Sequence, residues 1–243
     1  KEVLEKLEQY KKSEQVNPID GKVYGNSPYG DIFAGKNLIM VQMESVNNFV
    51  IGLTIDVNGE AVEVTPNLNR ILKNSVYFNN YYHSVGIGNT SDAEFTALTG
   101  IIPVGKNLTV TSYFDGDYET LPKLFREKGY SSFSVHANIG AFYERGKTHP
   151  HLYEFDEHYS TEKLDIDPEK LLHTFLNDAD MFRQTVALME EYAQDGPVFA
   201  FPITISNHTP YNKPLESEDN WFSGKENLFP DGFKLVDSII DNA

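Results

Sequence analysis

Two short, almost wholly apolar runs, NLIMVQM (Asn37 to Met43) and PVFAFPITIS (Pro197 to Ser206), constrain the fold of this chain more than any other feature. A strand that is apolar on both sides needs cover on both faces, which a parallel sheet between layers of helices supplies and a half-exposed hairpin does not. Between the two runs the pattern alternates. Thr65-Pro66 opens a helix through Leu68, Ile71 and Leu72, with Thr65 as its cap, and Val76 to Tyr82 is strand-like. Ser91-Asp92-Ala93-Glu94 has the form of a capping box, which places Thr90 just outside a helix N-terminus, and Gly100 closes that helix. Thr120 to Lys128 repeats the pattern before Gly129, Tyr130 to His136 alternates as a strand, and Asp178 to Gln194 is a long amphipathic helix stopped by Gly196. The expected fold class is α/β, with a mainly parallel central sheet flanked by helices. Residues 1 to 35 read as a separate helix, with Val3, Leu4, Leu7 and Tyr10 at helical spacing, followed by a Gly/Pro/Asn-rich linker, and residues 36 to 243 as the main domain.

Charge and cysteine content narrow the chemistry. With 20 Lys+Arg against 36 Asp+Glu, a formal charge of -16 argues against any electrostatic grip on nucleic acid or an anionic lipid surface. The absence of cysteine removes disulfides, thiol catalysis and Cys-ligated zinc, leaving oxygen and imidazole as metal ligands. The longest apolar stretches, such as Val198 to Ile205, fall far short of the ~20 residues that span a bilayer. A start at Lys1 without a signal-peptide core reads as a piece of something longer.

Ligands of open parallel sheets collect beyond the carboxyl ends of the strands. Glu44-Ser45 follows the first run, His136, Asn138, Tyr143 and Arg145 follow the strand at Tyr130, and Ser206-Asn207-His208 follow the last run, with Thr90 at a helix mouth between them. A carboxylate, a hydroxyl at a helix N-terminus, an arginine and a histidine suit phosphoryl or sulfuryl transfer. Glu44 can hold a hard divalent cation that activates the Thr90 oxygen, Arg145 offers a forked donor to phosphate oxygens, and His208 can donate to the same group. Taken singly, each residue also has an ordinary reading: Glu44 as a salt-bridge partner, Thr90 as a cap, Arg145 as a surface charge beside Glu144, His208 as a turn residue. His83, His149, His151, His158 and His173 read as surface or core histidines, and the acidic run from Asp156 to Asp180 as a solvated face.

In order along the chain stand NLIMVQMES (Asn37 to Ser45), TPNLN (Thr65 to Asn69), GIGNTSDAEFT (Gly86 to Thr96), HANIGAFYER (His136 to Arg145), LNDADMF (Leu176 to Phe182) and TISNHTPY (Thr204 to Tyr211). This series resembles the extracellular catalytic domain of the lipoteichoic acid synthase family, sulfatase-like phosphoglycerol transferases of the alkaline phosphatase superfamily. The resemblance runs from about Lys36 to about Tyr211. It implies that Thr90 is the nucleophile, that Glu44 and Thr90 ligate Mn2+ or another divalent cation such as Mg2+, and that Arg145 and His208 contact the glycerol phosphate. Asn138 and Tyr143 stand in the substrate loop, where relatives carry Asp and Trp.

The implied reaction moves glycerol phosphate from phosphatidylglycerol to a polyglycerolphosphate chain or glycolipid, through a phosphoglycerol-threonine intermediate, in a membrane-anchored parent on the outer face of a Gram-positive cell. The family completes its metal site with an Asp-His pair after a later strand, and no Gly-Asp-His segment occurs in these residues. The chain is therefore expected to be incomplete at its C-terminus, to hold half a metal site and to be inactive alone. Rival readings are a sulfatase or phosphatase of the same superfamily, a phosphoethanolamine transferase, against which the missing cysteines count, and a non-catalytic polyglycerolphosphate-binding domain.

Overall fold

The computed structural model describes residues 33–57, 59–172 and 174–208. The chain divides into two units, Lys1–Lys36 and Asn37–Ala243, and all the helices and strands among the described residues belong to the second. The expected N-terminal helix, His173 and the segment beyond His208 lie outside the described residues. In chain order the elements are β1 (Leu38–Ile39), β2 (Thr54–Val57), β3 (Glu60–Glu63), α1 (Pro66–Leu72), α2 (Thr90–Thr99), α3 (Thr109–Ser112) and α4 (Leu121–Arg126). There follow β4 (Ser131–His136), α5 (Arg145–His151), β5 (Glu157–Tyr159), β6 (Leu171–Leu172), β7 (Phe175–Leu176), α6 (Asp178–Tyr192) and β8 (Val198–Ile203).

The main sheet runs in the order β1-β8-β4-β5 and every pairing in it is parallel. The first apolar run forms a regular strand only at its start, yet it continues alongside β8. The amides of Met40 and Gln42 donate to the Ala200 and Pro202 carbonyls at 2.9 and 3.1 Å, and Thr204 N donates to the Gln42 carbonyl at 3.0 Å. Glu44 is thereby delivered to the same edge of the sheet as the ends of β8 and β4.

All six residues of β8 are buried, as an apolar central strand requires. Val198 and Ala200 pack with Phe133, Val135, Met181 and Met189, while Phe199, Phe201 and Ile203 pack with Phe95, Leu98, Leu152 and Phe155 on the opposite face. Helices thus cover both sides. Each fully buried large side chain is worth about 1.5 to 3 kcal/mol over an exposed one, so this strand anchors the layer from which the site projects.

Three local expectations are corrected. Val76 to Tyr82 makes no strand; Val76, Phe78, Tyr81 and Tyr82 are exposed instead. The Thr65 hydroxyl does not cap α1 but donates to the Val50 carbonyl at 3.1 Å and Asn69 Oδ1 at 3.3 Å. The acidic run is not uniformly solvated either, since Asp178 and Asp180 are buried at the start of α6. The β2–β3 hairpin, with Thr54 opposite Glu63, was not anticipated, although Asn58-Gly59 is a recognised hairpin pair.

Candidate active site

The helix carrying Thr90 begins differently from a capping box. Thr90 is its first residue, Asn89 precedes it at φ 41, and Asn89 makes no side-chain cap bond. Ser91 Oγ turns back to donate to the Gly88 carbonyl at 3.1 Å, and Glu94 is drawn away to Arg145. Asp92 organises the entry instead: one of its oxygens accepts the amides of Gly86 and Gly88 at 2.8 and 3.1 Å. A Cβ on Gly88 would stand 2.5 Å from the other Asp92 oxygen, so only glycine fits there. Gln42 Nε2 donates to the Thr90 carbonyl at 3.1 Å and ties this helix start to the first strand.

Thr90 Oγ1 donates to Glu44 Oε2 at 3.1 Å, and Ser45 Oγ donates to Glu44 Oε1 at 2.9 Å, with Ser45 in the left-handed region at φ 54. Glu44 N donates to the Thr204 hydroxyl at 2.7 Å, which ties the main chain at Glu44 to the end of β8. The folded chain therefore brings Glu44 and Thr90 together. The pair offers a hard cation two oxygen donors, fitting it in kind. It fills only part of a coordination shell, since among the described residues no three His, Asp or Glu side chains gather as a metal site.

Arg145 is not a surface charge. It is 1% exposed and held by Glu94, with Nε at 3.1 Å and Nη2 at 2.5 Å from Glu94 Oε1, while Nη1 is buried without a partner. Its guanidinium lies 5.1 Å from the Tyr143 ring centre and 5.7 Å from that of Phe142. Tyr143 and Glu144 both adopt φ 55, two successive strained residues that swing the chain into α5. Burial raises the Tyr143 hydroxyl above its ordinary pKa, with the Arg145 charge opposing and the carboxylates of Glu94, Glu44 and Asp92 adding to the rise. Asn138 is committed locally, its Oδ1 accepting the Ile139 amide at 2.8 Å. His208 is exposed just beyond β8, its amide donating to the Ile205 carbonyl at 2.8 Å.

Behind these residues lies a buried polar chain that sequence reasoning missed. His149 Nε2 is 3.0 Å from Glu94 Oε2, its Nδ1 is 2.8 Å from Ser134 Oγ, and that hydroxyl is 2.8 Å from His158 Nδ1. Burial would raise the Glu94 pKa, but Arg145 and the His149 hydrogen bond bring it down to about 2. Burial lowers His149 and His158, and it takes His136, whose Nδ1 is 3.0 Å from the Ile203 carbonyl, down to about 3. With neutral rings the network assigns itself: His149 donates from Nε2 to Glu94 and accepts from Ser134, which accepts from His158. The signal in the sequence was the polar half of SSFSVH, since a polar stripe on a strand buried on both faces must find partners inside.

A family model described as Sulfatase matches residues 36–230. Lipoteichoic acid synthase 1 of Bacillus subtilis is 30% identical over 220 residues, which cover 89% of this chain and 32% of that protein. Lipoteichoic acid synthase of Staphylococcus aureus is 28% identical over 244 residues, covering 99% and 35%. The chain spans about a third of the length of these relatives. Among solved structures, the lipoteichoic acid synthase LtaP of Listeria monocytogenes superposes with a TM-score of 0.75 at 23% identity, over 90% of this chain and 52% of that one. The C-terminal periplasmic domain of EcEptC from Escherichia coli, in complex with Zn, does so at 0.57 and 15%, over 86% and 56%.

Proposed function

The chain belongs to the sulfatase family, and on that premise we propose that it is the nucleophile-bearing part of a phosphoglycerol transferase. The substrate is phosphatidylglycerol, and the acceptor is a polyglycerolphosphate chain or glycolipid on the outer face of a Gram-positive membrane. The observation that carries the reading is the Thr90–Glu44 hydrogen bond of 3.1 Å, made by the first residue of α2 at the carboxyl edge of a parallel sheet. The names of the relatives support the lipoteichoic acid substrate.

In the first half-reaction Thr90 Oγ1 forms a bond to phosphorus. Its proton leaves along the hydrogen bond to Glu44, and the bond from phosphorus to the diacylglycerol oxygen breaks. That oxygen leaves as the alcohol, taking its proton from His208 in this reading. In the second half-reaction an acceptor hydroxyl gives its proton to His208 and forms a bond to phosphorus, the bond from phosphorus to Thr90 Oγ1 breaks, and that oxygen takes back the proton from Glu44. The amides at the N-terminus of α2 favour the charge that develops beside Thr90. Glu44 and Thr90 would hold Mn2+ or Mg2+, which when bound supplies charge for phosphate polarisation and for lowering the threonine pKa.

Intact-mass spectrometry tests this with the complete protein in which the chain occurs, incubated with phosphatidylglycerol and Mn2+ beside its Thr90→Ala variant. A phosphoglycerol adduct on the wild type alone is expected, discharged by a glycolipid acceptor. Discharge to water with equal speed in the absence of acceptor would replace the transferase by a hydrolase. No adduct and no released diacylglycerol would end the catalytic reading.

A further inference from the structure

Ion pairs as deeply buried as Glu94 and Arg145, each 1% exposed, are weak stabilisers, because the cost of desolvating both charges offsets most of their attraction. An apolar pair of similar volume would serve stability as well. The arrangement also leaves a cost uncompensated, since Arg145 Nη1 is buried with nothing to donate to. Three features tie that nitrogen to the helix that carries the reacting hydroxyl. Glu94 follows Thr90 by one helical turn on the same face of α2, where residues four apart are neighbours. Arg145 opens α5 directly after the strained pair Tyr143-Glu144. The Tyr143 ring centre lies 5.1 Å from the guanidinium.

We propose that Glu94 is a positioning residue for phosphate binding: it clamps Arg145 through Nε and Nη2, so that Nη1 alone is left for an oxygen of the anion presented to Thr90. His149 supports Glu94 from behind. Its Nε2 holds Glu94 Oε2, and its other nitrogen is fixed by Ser134, so the carboxylate cannot rotate away from the guanidinium. Specificity follows from the geometry. A lysine at 145 would gather all its donors on one ammonium nitrogen, whereas the guanidinium fork serves a carboxylate and an anion from separate nitrogens. The proposal rests on the transferase reading only in taking the anion to be the phosphate that Thr90 attacks.

The test is nitrogen-15 NMR of the arginine Nε–Hε signals in the full chain, with the Arg145 signal assigned by Arg145→Lys and followed during titration with inorganic phosphate. In the wild type a sharp, slowly exchanging Arg145 signal is expected, shifting saturably with phosphate. In Glu94→Gln the signal should broaden and the phosphate response weaken at least tenfold, with partial rescue in Glu94→Asp, a contrast that a purely structural role would not produce. Thermal unfolding of each variant identifies any that fails to fold, and if Glu94→Gln does so, Glu94→Asp and His149→Asn carry the comparison. An Arg145 signal indifferent to phosphate in the wild type, or shifting equally in wild type and Glu94→Gln, overturns the proposal. A phosphate response that depends on Glu94, in a protein forming no adduct from phosphatidylglycerol, removes the transferase reading and leaves the positioning role standing.

Discussion

Asp178 and Ser206 hold each other reciprocally: the Asp178 amide donates to Ser206 Oγ at 2.8 Å, and the Ser206 amide donates back to Asp178 Oδ2 at 3.0 Å. The other Asp178 oxygen accepts the Ile205 amide at 2.7 Å, so one carboxylate at the start of α6 fixes the turn leading to His208. Asparagine keeps one acceptor and turns an amide NH2 toward a backbone N–H, which leaves a buried donor unpaired. Asp178→Asn should therefore destabilise the chain by about 1 to 3 kcal/mol. Thermal unfolding beside Ser206→Ala, which loses the other half of the clasp, measures this, and a variant as stable as the wild type would contradict it.

Gly88 supports the same site from the other side. A methyl group there meets Asp92 Oδ1 at 2.5 Å and Ser91 Oγ at 2.9 Å, so the Asp92 carboxylate has to move and release the two amides it holds. The start of α2 shifts with it, and Thr90 loses its alignment with Glu44. Gly88→Ala should slow adduct formation at Thr90 by tenfold or more, since small misplacements of reacting groups are costly. Quenched-flow mass spectrometry of wild type and variant reads the rate directly.

Ser134 links two buried imidazoles through one hydroxyl. Replacing it by alanine deprives His149 Nδ1 of a donor and His158 Nδ1 of an acceptor, at about 1 to 3 kcal/mol for each buried group left unpaired. Ser134→Ala should accordingly lower the urea midpoint more than Ser132→Ala, whose hydroxyl makes only longer contacts of 3.3 and 3.4 Å with Asp156.

The parallel sheet was legible because Asn37 to Met43 and Pro197 to Ser206 are apolar on both sides, a pattern with few solutions. The helix C-termini at Gly100 and Gly129 were legible because both glycines are left-handed, at φ 71 and 82. Glu44 and Thr90 could be nominated because residues at strand ends and helix starts of such a sheet face one edge. The capping box failed for a tertiary reason: Glu94 has a stronger partner in Arg145, 51 positions away, than in its own helix start. Val76 to Tyr82 failed because strand propensity describes a segment that has a neighbour to pair with, and this one has no ladder among the described residues. The burial of Arg145 and the choice between surface and core for His149 and His158 were not legible, for a common cause. Local context shows a charge beside Glu144 or a His-Pro-His triplet, and only the packing of α5 on β5 and α2 shows them to be interior.

The buried imidazoles set a pH dependence. His136, with a folded pKa of about 3 against about 6.5 unfolded, is neutral in the native state while the unfolded chain takes up a proton below 6.5. For this residue the unfolded state binds more protons throughout that interval, so its contribution to stability rises with pH from about 3 to about 6.5, by up to about 1.4 kcal/mol per unit, while Asp178, raised by burial to about 6, opposes it between about 4 and 6. His149 and His158, lowered by the same burial, act in the same direction. Chemical denaturation at several pH values, compared between wild type and variant, isolates the histidine share of the slope. In His136→Asn, whose amide can still donate to the Ile203 carbonyl, the slope should be shallower by one histidine's share.

Glu44 separates a hydrogen-bond acceptor from a cation ligand. In Glu44→Gln the Thr90 hydroxyl still finds a carbonyl oxygen, so a role limited to orienting Thr90 would survive largely intact, whereas proton acceptance would be lost and excess metal would not restore it. A hard cation is held by charge, and an amide oxygen replaces a carboxylate poorly. With Mn2+ supplied to the complete protein, Glu44→Gln should lose at least a hundredfold in adduct formation and recover partly at high Mn2+. Chelation of the wild type should abolish the reaction, and readdition of the ion should restore it. Recovery of Glu44→Gln by excess metal while Thr90→Ala stays inert at every concentration would assign the two residues their separate parts, one in holding charge and the other in forming the bond. Equal activity of Glu44→Gln and wild type across the Mn2+ titration would remove Glu44 from the cation site and leave it as a hydrogen-bond acceptor only.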